Sequence, residues 1–390
     1  KQWRGQQGIG ISAAGLYALL TTGKPIVIVS RTDPAHSARH YELRINTRTN
    51  SPEVLVDEAV EWDVEHGTRV ELEMEGTCRG GRTSIDAYLE QTVIANPHLR
   101  LTYVLPKVPE PVVFERAAEE LPREALEIKP HPNGVELGLL IRMMHESKTI
   151  TVKQCLIDSF SRVSSSIAEQ VCVGAGVDPL EKASKLDGDQ VEAIHKSLAT
   201  VKVLAPPASC VVPIGEDLVI AGLKRRFDAE FFVAVTRPPA VYRGNPFVVE
   251  CGIAYGGKLP TDEPADVMRF ANRVPLQYQP KACAMSEAVY QTNWKAYEMQ
   301  QPKGSLPIGP VAVFLHLASV WVPFTSEAKE AVAHYPELLR EMKLALQEAG
   351  RRLGTHLRAR SRAENAQKRR SIFERYIPEI GSAISRITGE

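Results

Sequence analysis

The spacing of apolar and polar residues changes three times along the chain. Between Pro25 and about Pro106, the stretches "PIVIVSRT", "YELRINT", "RVELEME" and "LRLTYVL" are β-rich and alternate, which predicts strands. They are interrupted by "SIDAYLEQTVIANP", a helical pattern with Ser84 as N-cap and Pro97 as its stop. From about 128 to 205 the period becomes that of short helices, in "VELGLLIRMMHES", "TVKQCLIDSF", "SSSIAEQVCVGAGV" and "DGDQVEAIHKSLATV". Ser164 to Ser166 and Asp187 are cap residues there, and Gly174 and Gly176 are stops. Strands return from about 206 with "EFFVAVTR", "PFVVECGIAYGG" and "VAVFLHLASVWVPF".

The segment from about 336, "YPELLREMKLALQEAGRRLGTHLRARSRAENAQKRRSIFERYIPEI", carries leucines at three- and four-residue intervals and then mostly charge. A helix too polar to be buried all round projects from its domain or packs against a partner. Proline and charge concentrate in "PKVPEPVVFERAAEELPREALEIKPHPNG" and again in "VKVLAPPAS", the composition of connectors. The reading is therefore α+β and multidomain: residues 1–127 as the second half of an α/β domain, 128–205 as a small all-helical domain, and 206–390 as a second α/β domain ending in a long helix.

Length and charge narrow the function classes. A chain of 390 residues has room for two or three domains, each with a real core. Lys+Arg and Asp+Glu are equal at 47 each, so no global field favours nucleic acid, and any DNA contact must come from local patches. The six cysteines stand far apart without a CxxC pair, which argues against zinc and a dense disulfide framework and makes a reducing cytoplasm the simplest setting. No apolar run approaches about 18 residues and "KQWRGQQ" has no signal-type apolar core, so neither a membrane span nor a signal peptide is expected. The chain opens on Lys1 in the middle of a motif, and the expectation is a fragment whose N-terminus lies upstream.

That motif is "RGQQGIGISAAGLYALL", residues 4–20. Gly5, Gly8, Gly10 and Gly15 free the backbone, and an amphipathic helix with Ile11, Leu16, Leu19 and Leu20 on one side is expected to begin within the glycines. Exposed N–H groups at such a helix start suit a phosphate. The spacing fits neither a P-loop, which needs Gly-Lys-Ser/Thr, nor the dinucleotide fingerprint, since position 13 is Ala13. On spacing alone, a structural turn accounts for the run equally well.

The whole run "RGQQGIGIS" resembles the ATP lid of the B subunits of archaeal-type DNA topoisomerase VI, members of the gyrase, Hsp90, histidine kinase and MutL (GHKL) ATPase superfamily. The resemblance extends through the chain. "LTTGKP", "SIDAYLEQTVIANPH" and "IKPHPNGVELGLLIRMM" are similar to the end of the ATPase domain and the start of that family's helix-two-turns-helix insert. "VTRPPAVYRGNPFVVECGIAYGG", "TNWKAYEMQQ" and "LHLASVWVPFTSEAKEAVAHYPE" are similar to its transducer domain. The implied fold is the C-terminal part of a Bergerat-type α/β sandwich, a helical insert and a ribosomal S5 domain 2-like transducer with a stalk helix.

The resemblance also assigns residues. It implies nucleotide binding by Gly5, Gln6, Gln7, Gly8, Ile9, Gly10, Ile11 and Ser12. "NWKAY" fits the family's WKxY motif, with Trp294 and Tyr297 flanking Lys295, the lysine that reaches the ATP γ-phosphate. A flexible point charge of this kind gains a contact with the triphosphate and loses it when the phosphate leaves. Without that company Lys295 is one surface lysine among many.

His131, His145, His195, His316 and His334 lack metal-ligand spacing and are read as structural or solvated. Ser12 has no neighbouring base in sequence and is read as a hydrogen-bonding residue, not a nucleophile. Arg351, Arg352, Arg358, Arg360, Arg362, Lys368, Arg369, Arg370 and Arg375 are candidates for DNA phosphate contacts or for a solvated helix face, the latter helped by Glu364 and Glu374.

The implied function is an ATP- and Mg²⁺-dependent gate. Two B subunits dimerise on binding ATP around one DNA segment, and the stalk passes the closure to an A subunit whose tyrosine cleaves a second segment, within an A2B2 assembly. The superfamily's catalytic glutamate, Mg²⁺-binding asparagine and adenine-reading aspartate precede the lid, so this chain alone is expected to bind ATP poorly and hydrolyse none. Rival readings are a MutL-like or Hsp90-like ATPase and a DNA-binding scaffold without ATP.

Overall fold

The computed structural model describes residues 1–3, 9–46, 51–106, 108, 110–147 and 150–389. The chain divides into two compact units, Gly5–Gly80 and Lys1–Arg4 together with Gly81–Glu390.

In the smaller unit, helix α1 (Gly10–Thr22) is followed by strands β1 (Ile26–Arg31), β2 (Ala38–Asn46), β3 (Ser51–Val60) and β4 (Gly67–Glu71), which form an antiparallel sheet ordered β3-β2-β1-β4. Gly23 in the left-handed conformation ends α1, its N–H bonded to the Leu19 carbonyl. The buried face of α1 differs from the expected one. Gly15 and Ala18 are buried, whereas Ile11 and Leu20 are exposed. The reason is close approach: a side-chain carbon on Gly15 would overlap the Ile26 side chain, so small residues and not the leucines face the sheet.

The larger unit begins with α2 (Ile85–Ala95), capped by the Ser84 hydroxyl, which accepts from the Ala87 N–H at 3.1 Å. A short ribbon of β5 (Leu101–Tyr103) and β6 (Val112–Phe114) follows. Four helices come next: α3 (Leu137–Glu146), α4 (Val152–Ser159), α5 (Ser165–Ala175) and α6 (Gly188–Thr200). They enclose their own apolar cluster around Leu140, Met144, Leu156, Phe160, Val171, Ile194 and Leu198. Thr151, Ser164 and Asp187 cap α4, α5 and α6, and Asp187 and Gln190 form a reciprocal capping box. Gly176, not Gly174, stops α5 in the left-handed conformation.

Helix α7 (Glu216–Arg226) leads into a six-stranded sheet built from β7 (Phe231–Thr236), β8 (Ala240–Tyr242), β9 (Asn245–Tyr255), β10 (Asp266–Ala271), β11 (Val274–Pro275) and, after helix α8 (Ala284–Gln291), β12 (Val311–Ser319). The order is β11-β10-β12-β9-β7 with β8 beside β9, and only the β10–β12 pair is parallel. Both faces are covered, which explains why β9 and β12 read as unbroken apolar runs. Val249, Cys251, Ile253, Val313 and Leu315 pack with α8 and with the first part of α9 (Pro336–Thr388). Ala254, Met268, Phe270 and Phe314 pack with α7 and the end of α2. Helix α9 is buried intermittently as far as Gly354, and from Arg358 onward its described side chains are exposed. No helix among the described residues is long and apolar enough to cross a membrane.

Candidate functional site

The turn "WKAY" takes its shape from a 3-10 period. With three residues per turn, positions 294 and 297 fall on one side while 295 and 296 fall on the other. Trp294 is fully buried in the sheet's core, where its indole N–H donates to the Val289 carbonyl at 2.9 Å. Its backbone N–H donates to Gln301 Oε1 at 3.0 Å, and the Gln301 amide donates in turn to the Ser305 carbonyl, also at 3.0 Å. The Tyr297 ring stands edge-on to Trp294, with centroids 6.3 Å apart, and rests against α9 at Gly350 and Gly354. Glu298 closes the turn in the left-handed conformation at φ 65°.

Lys295 is therefore held at its backbone and exposed at its tip. It makes no ion pair among the described residues, and it borders a shallow depression lined by Met299, Gln301, Pro302 and Ile308. An ammonium with three rotatable donors on a fixed base is suited to meeting a phosphate oxygen.

Of the glycine run, Gly5, Gln6, Gln7 and Gly8 lie outside the described residues. Ile9 occupies the N-cap position of α1 without a side-chain cap bond, and the first turn carries no acidic residue. The first helical bond runs from the Ala13 N–H to the Ile9 carbonyl at 2.9 Å. The amides of Gly10, Ile11 and Ser12 precede it and have no acceptor within the helix. All three residues are exposed, and among the described residues no side chain caps this end of α1, whose positive end suits an anion. This segment belongs to the smaller unit and Lys295 to the larger.

The basic positions of α9 divide into two sets. Arg358 pairs with Glu298 at 3.7 Å, Arg360 with Glu230 at 2.6 Å and Glu364 at 2.8 Å, and Arg370 with Glu374 at 2.8 Å. Arg362, Lys368 and Arg369 are exposed and make no ion pair among the described residues. Also among the described residues, no three His, Cys, Asp or Glu side chains converge as a metal site.

One buried polar centre escaped the sequence reading. Glu250 on β9 and His316 on β12 are register partners, and both are fully buried. Glu250 Oε2 accepts from the Ile214 N–H at 2.7 Å and from His316 Nδ1 at 2.8 Å; Oε1 accepts from the Gly215 N–H at 2.7 Å and the Thr236 hydroxyl at 3.0 Å. His316 Nε2 accepts the Arg273 N–H at 3.0 Å, which makes the imidazole a neutral Nδ1–H donor. Burial pushes the Glu250 carboxyl up, but the His316 hydrogen bond and the Ile214 and Gly215 amides outweigh it and hold the group below the ordinary glutamate range. The signal in sequence is a glutamate inside "FVVECGIAY" and a histidine inside "VAVFLHLAS", each in an otherwise apolar run.

A family model described as the topoisomerase VI B subunit transducer matches residues 206–369, from the segment before α7 into the projecting part of α9. The type 2 DNA topoisomerase 6 B subunit of Pyrococcus furiosus is 33% identical over 441 aligned positions, covering 100% of this chain and 76% of that protein. The chain belongs to the family of topoisomerase VI B subunits. Identity to the B subunits of Methanococcoides burtonii and Methanosarcina mazei is 46% and 44%, over 100% and 99% of this chain. The chain spans 65% and 62% of the length of those two relatives. The 43K ATPase domain of Thermus thermophilus gyrase B is 14% identical with a TM-score of 0.34, covering 92% of this chain and 77% of that one, a likeness too loose to carry a functional argument.

Proposed function

We propose that this chain is the switch portion of the ATP-binding B subunit of a type IIB DNA topoisomerase. In the whole protein two B subunits associate when nucleotide and Mg²⁺ are held. The closing gate drives one DNA duplex through a double-strand break made by the A subunit, relaxing supercoils and decatenating DNA. The observation that carries this reading is Lys295, an exposed cation on a turn whose two aromatic residues fix it to the core and to α9.

Taken unit by unit, the residues present suit phosphate oxygens. The amides of Gly10, Ile11 and Ser12, which have no acceptor within the helix, suit the oxygens of a triphosphate, and in this reading Gly5, Gln6, Gln7 and Gly8 extend that lid. Lys295 serves as the γ-phosphate sensor. The bound nucleotide supplies the hydrolysable bond, while this chain's residues hold it and report its state. The general base and the Mg²⁺ ligand are not assigned to any residue of this chain.

The domain reading is 1–127 for the ATPase part with its lid, 128–205 for the helix-two-turns-helix insert and 206–390 for the transducer with its stalk. The separate apolar cluster of α3 to α6 and the family match from 206 support it. The cytoplasm is the proposed setting. For the partner subunit, the far end of α9 offers Phe373, Ile377, Ile380, Ile384 and Ile387, all exposed and spaced by four and three residues. That is the seam of a helix that packs on another helix, and we assign it to the A subunit. Arg362, Lys368 and Arg369 remain the stalk cations best placed for DNA phosphates, and Arg358, Arg360 and Arg370 would have to leave carboxylate partners to join them.

The test is sedimentation of the full-length protein with and without a non-hydrolysable ATP analogue and Mg²⁺. The wild type is expected to dimerise on the analogue and Lys295→Ala to respond weakly. A wild type that ignores nucleotide overturns the reading.

A further inference from the structure

Tyr297 fills a notch on α9 that exists only because two residues there lack side chains. A carbon added to Gly350 would stand 2.5 Å from Tyr297 Cδ2 and 2.6 Å from Cε2, distances no packed side chain tolerates. One added to Gly354, a turn further on, would stand 3.2 Å from Tyr297 Cα. Glycine inside a helix costs about 1 kcal/mol relative to alanine, so a pair four residues apart works against helix propensity here. The close approach it permits is the compensating feature.

The position of the notch matters as much as its shape. Leu346, Ala349 and Leu353 are the last stretch of α9 with fully buried side chains, and from Arg358 onward the helix is exposed. The arm from Arg358 to Thr388 is about 45 Å long at 1.5 Å per residue. Contacts cluster where the arm leaves the domain: Tyr297 in the notch, Glu298 with Arg358 at 3.7 Å, Phe231 stacked on His356 at 4.3 Å, and Arg360 with Glu230 at 2.6 Å. Two of these four come from residues just after Lys295.

We infer that Gly350, Gly354 and Tyr297 are positioning residues that lock the Lys295 turn to the root of the stalk, so that any displacement of Lys295 is delivered to α9 as a tilt. This rests on Lys295 being the nucleotide sensor. The coupling is steric: the ring cannot shift without the helix, because the notch walls are backbone and interiors packed this closely transmit strain. The Tyr297 hydroxyl takes no part, having no hydrogen bond among the described residues. The ring alone is the wedge.

The experiment uses the full-length protein and reads two quantities separately: affinity for a non-hydrolysable ATP analogue, and the dimerisation that the analogue induces. Gly350→Ala is expected to leave the monomer's analogue affinity unchanged, read at protein concentrations too low for association, and to weaken induced dimerisation about tenfold, the scale of couplings between residues in contact. Tyr297→Ala should weaken induced dimerisation to the same degree, and adding Gly350→Ala to it should cost nothing further, because the residue being displaced is already gone. Tyr297→Phe should respond like wild type. If Gly350→Ala does not fold, Tyr297→Ala and Tyr297→Phe decide the matter alone, since neither introduces a clash. Additive losses in the double variant, an equal loss in Tyr297→Phe, or a full response in Tyr297→Ala overturns the inference. Lys295→Ala run alongside separates the two levels: if it fails to respond while Tyr297→Ala responds fully, the sensor stands and the notch falls, and if it responds fully the sensor reading falls too.

Discussion

His316 Nδ1 lies 2.8 Å from Glu250 Oε2 in the middle of the six-stranded sheet, and neither side chain is exposed. The pair is worth its burial because every lone pair is used: the glutamate also receives the amides at the start of α7, and the imidazole receives the Arg273 N–H. It ties strands β7, β9 and β12, the entry to α7 and the β10–β11 corner to one point.

Replacing Glu250 by Gln sets an amide donor against donors that have no other partner. Glu250→Gln is expected to destabilise the protein by about 2 kcal/mol, the scale of leaving a buried donor unsatisfied. Urea unfolding measures it, as a lower midpoint at unchanged slope.

The same carboxyl sets an acid limit. Its folded-state pKa lies below the ordinary glutamate value of 4.5, so its stabilisation is fully present above that value and is lost as the pH falls through the folded pKa. Wild-type stability should therefore decline on acidification below about pH 4.5, and the decline should be shallower in Glu250→Gln, which has no carboxyl to protonate. Unfolding midpoints collected across that range show whether the two curves converge.

Gly15 faces Ile26 with no room for a side chain. Gly15→Ala gains helix propensity yet is expected to cost about 1–3 kcal/mol through overpacking. Ile26→Val in the same background should recover part of the loss, because it shortens the side chain that the new methyl meets. Thermal unfolding of the single and double variants checks both signs.

The capping box of α6 joins Asp187 and Gln190 reciprocally, with the Gln190 N–H 2.8 Å from Asp187 Oδ1. Asp187→Ala should cost about 1 kcal/mol and Asp187→Ser much less, since serine also caps. Hydrogen exchange should localise the change to the first turn of α6.

For the exposed seam of α9, Ile377→Asp and Ile384→Asp are expected to leave the monomer's unfolding midpoint unchanged, since both side chains are exposed. In the proposed assembly each should weaken association with the A subunit at least about tenfold, the loss of a buried anchor at an interface. Co-sedimentation of the two subunits reads the effect, and unaltered association would remove the seam from the interface.

The sequence determined the parts whose causes are local. The helices of 135–201 and their caps at Ser164, Asp187 and Gly176 follow from side chains that bond amides three residues away and from a glycine free to turn left-handed. The apolar runs of β9 and β12 announced strands, and the motif "WKAY" singled out Lys295. Tertiary structure decided whatever depends on residues far apart in the chain. Strand β3 carries Glu53, Asp57 and Glu58 and is mostly exposed, so its sequence shows little strand pattern until β2 supplies hydrogen-bond partners. The packed face of α1 belongs to Gly15 and Ala18 because Ile26 occupies the space that larger side chains would need. Glu250 and His316 stand 66 residues apart, and the sheet register alone makes them partners. Lys295 gained its rigid base in the same way: Trp294 and Tyr297 are ordinary apolar anchors in sequence, and two glycines on a distant helix turn one of them into a wedge. Local propensity acts over three or four residues, whereas burial and close packing are properties of surfaces that only the folded chain brings together.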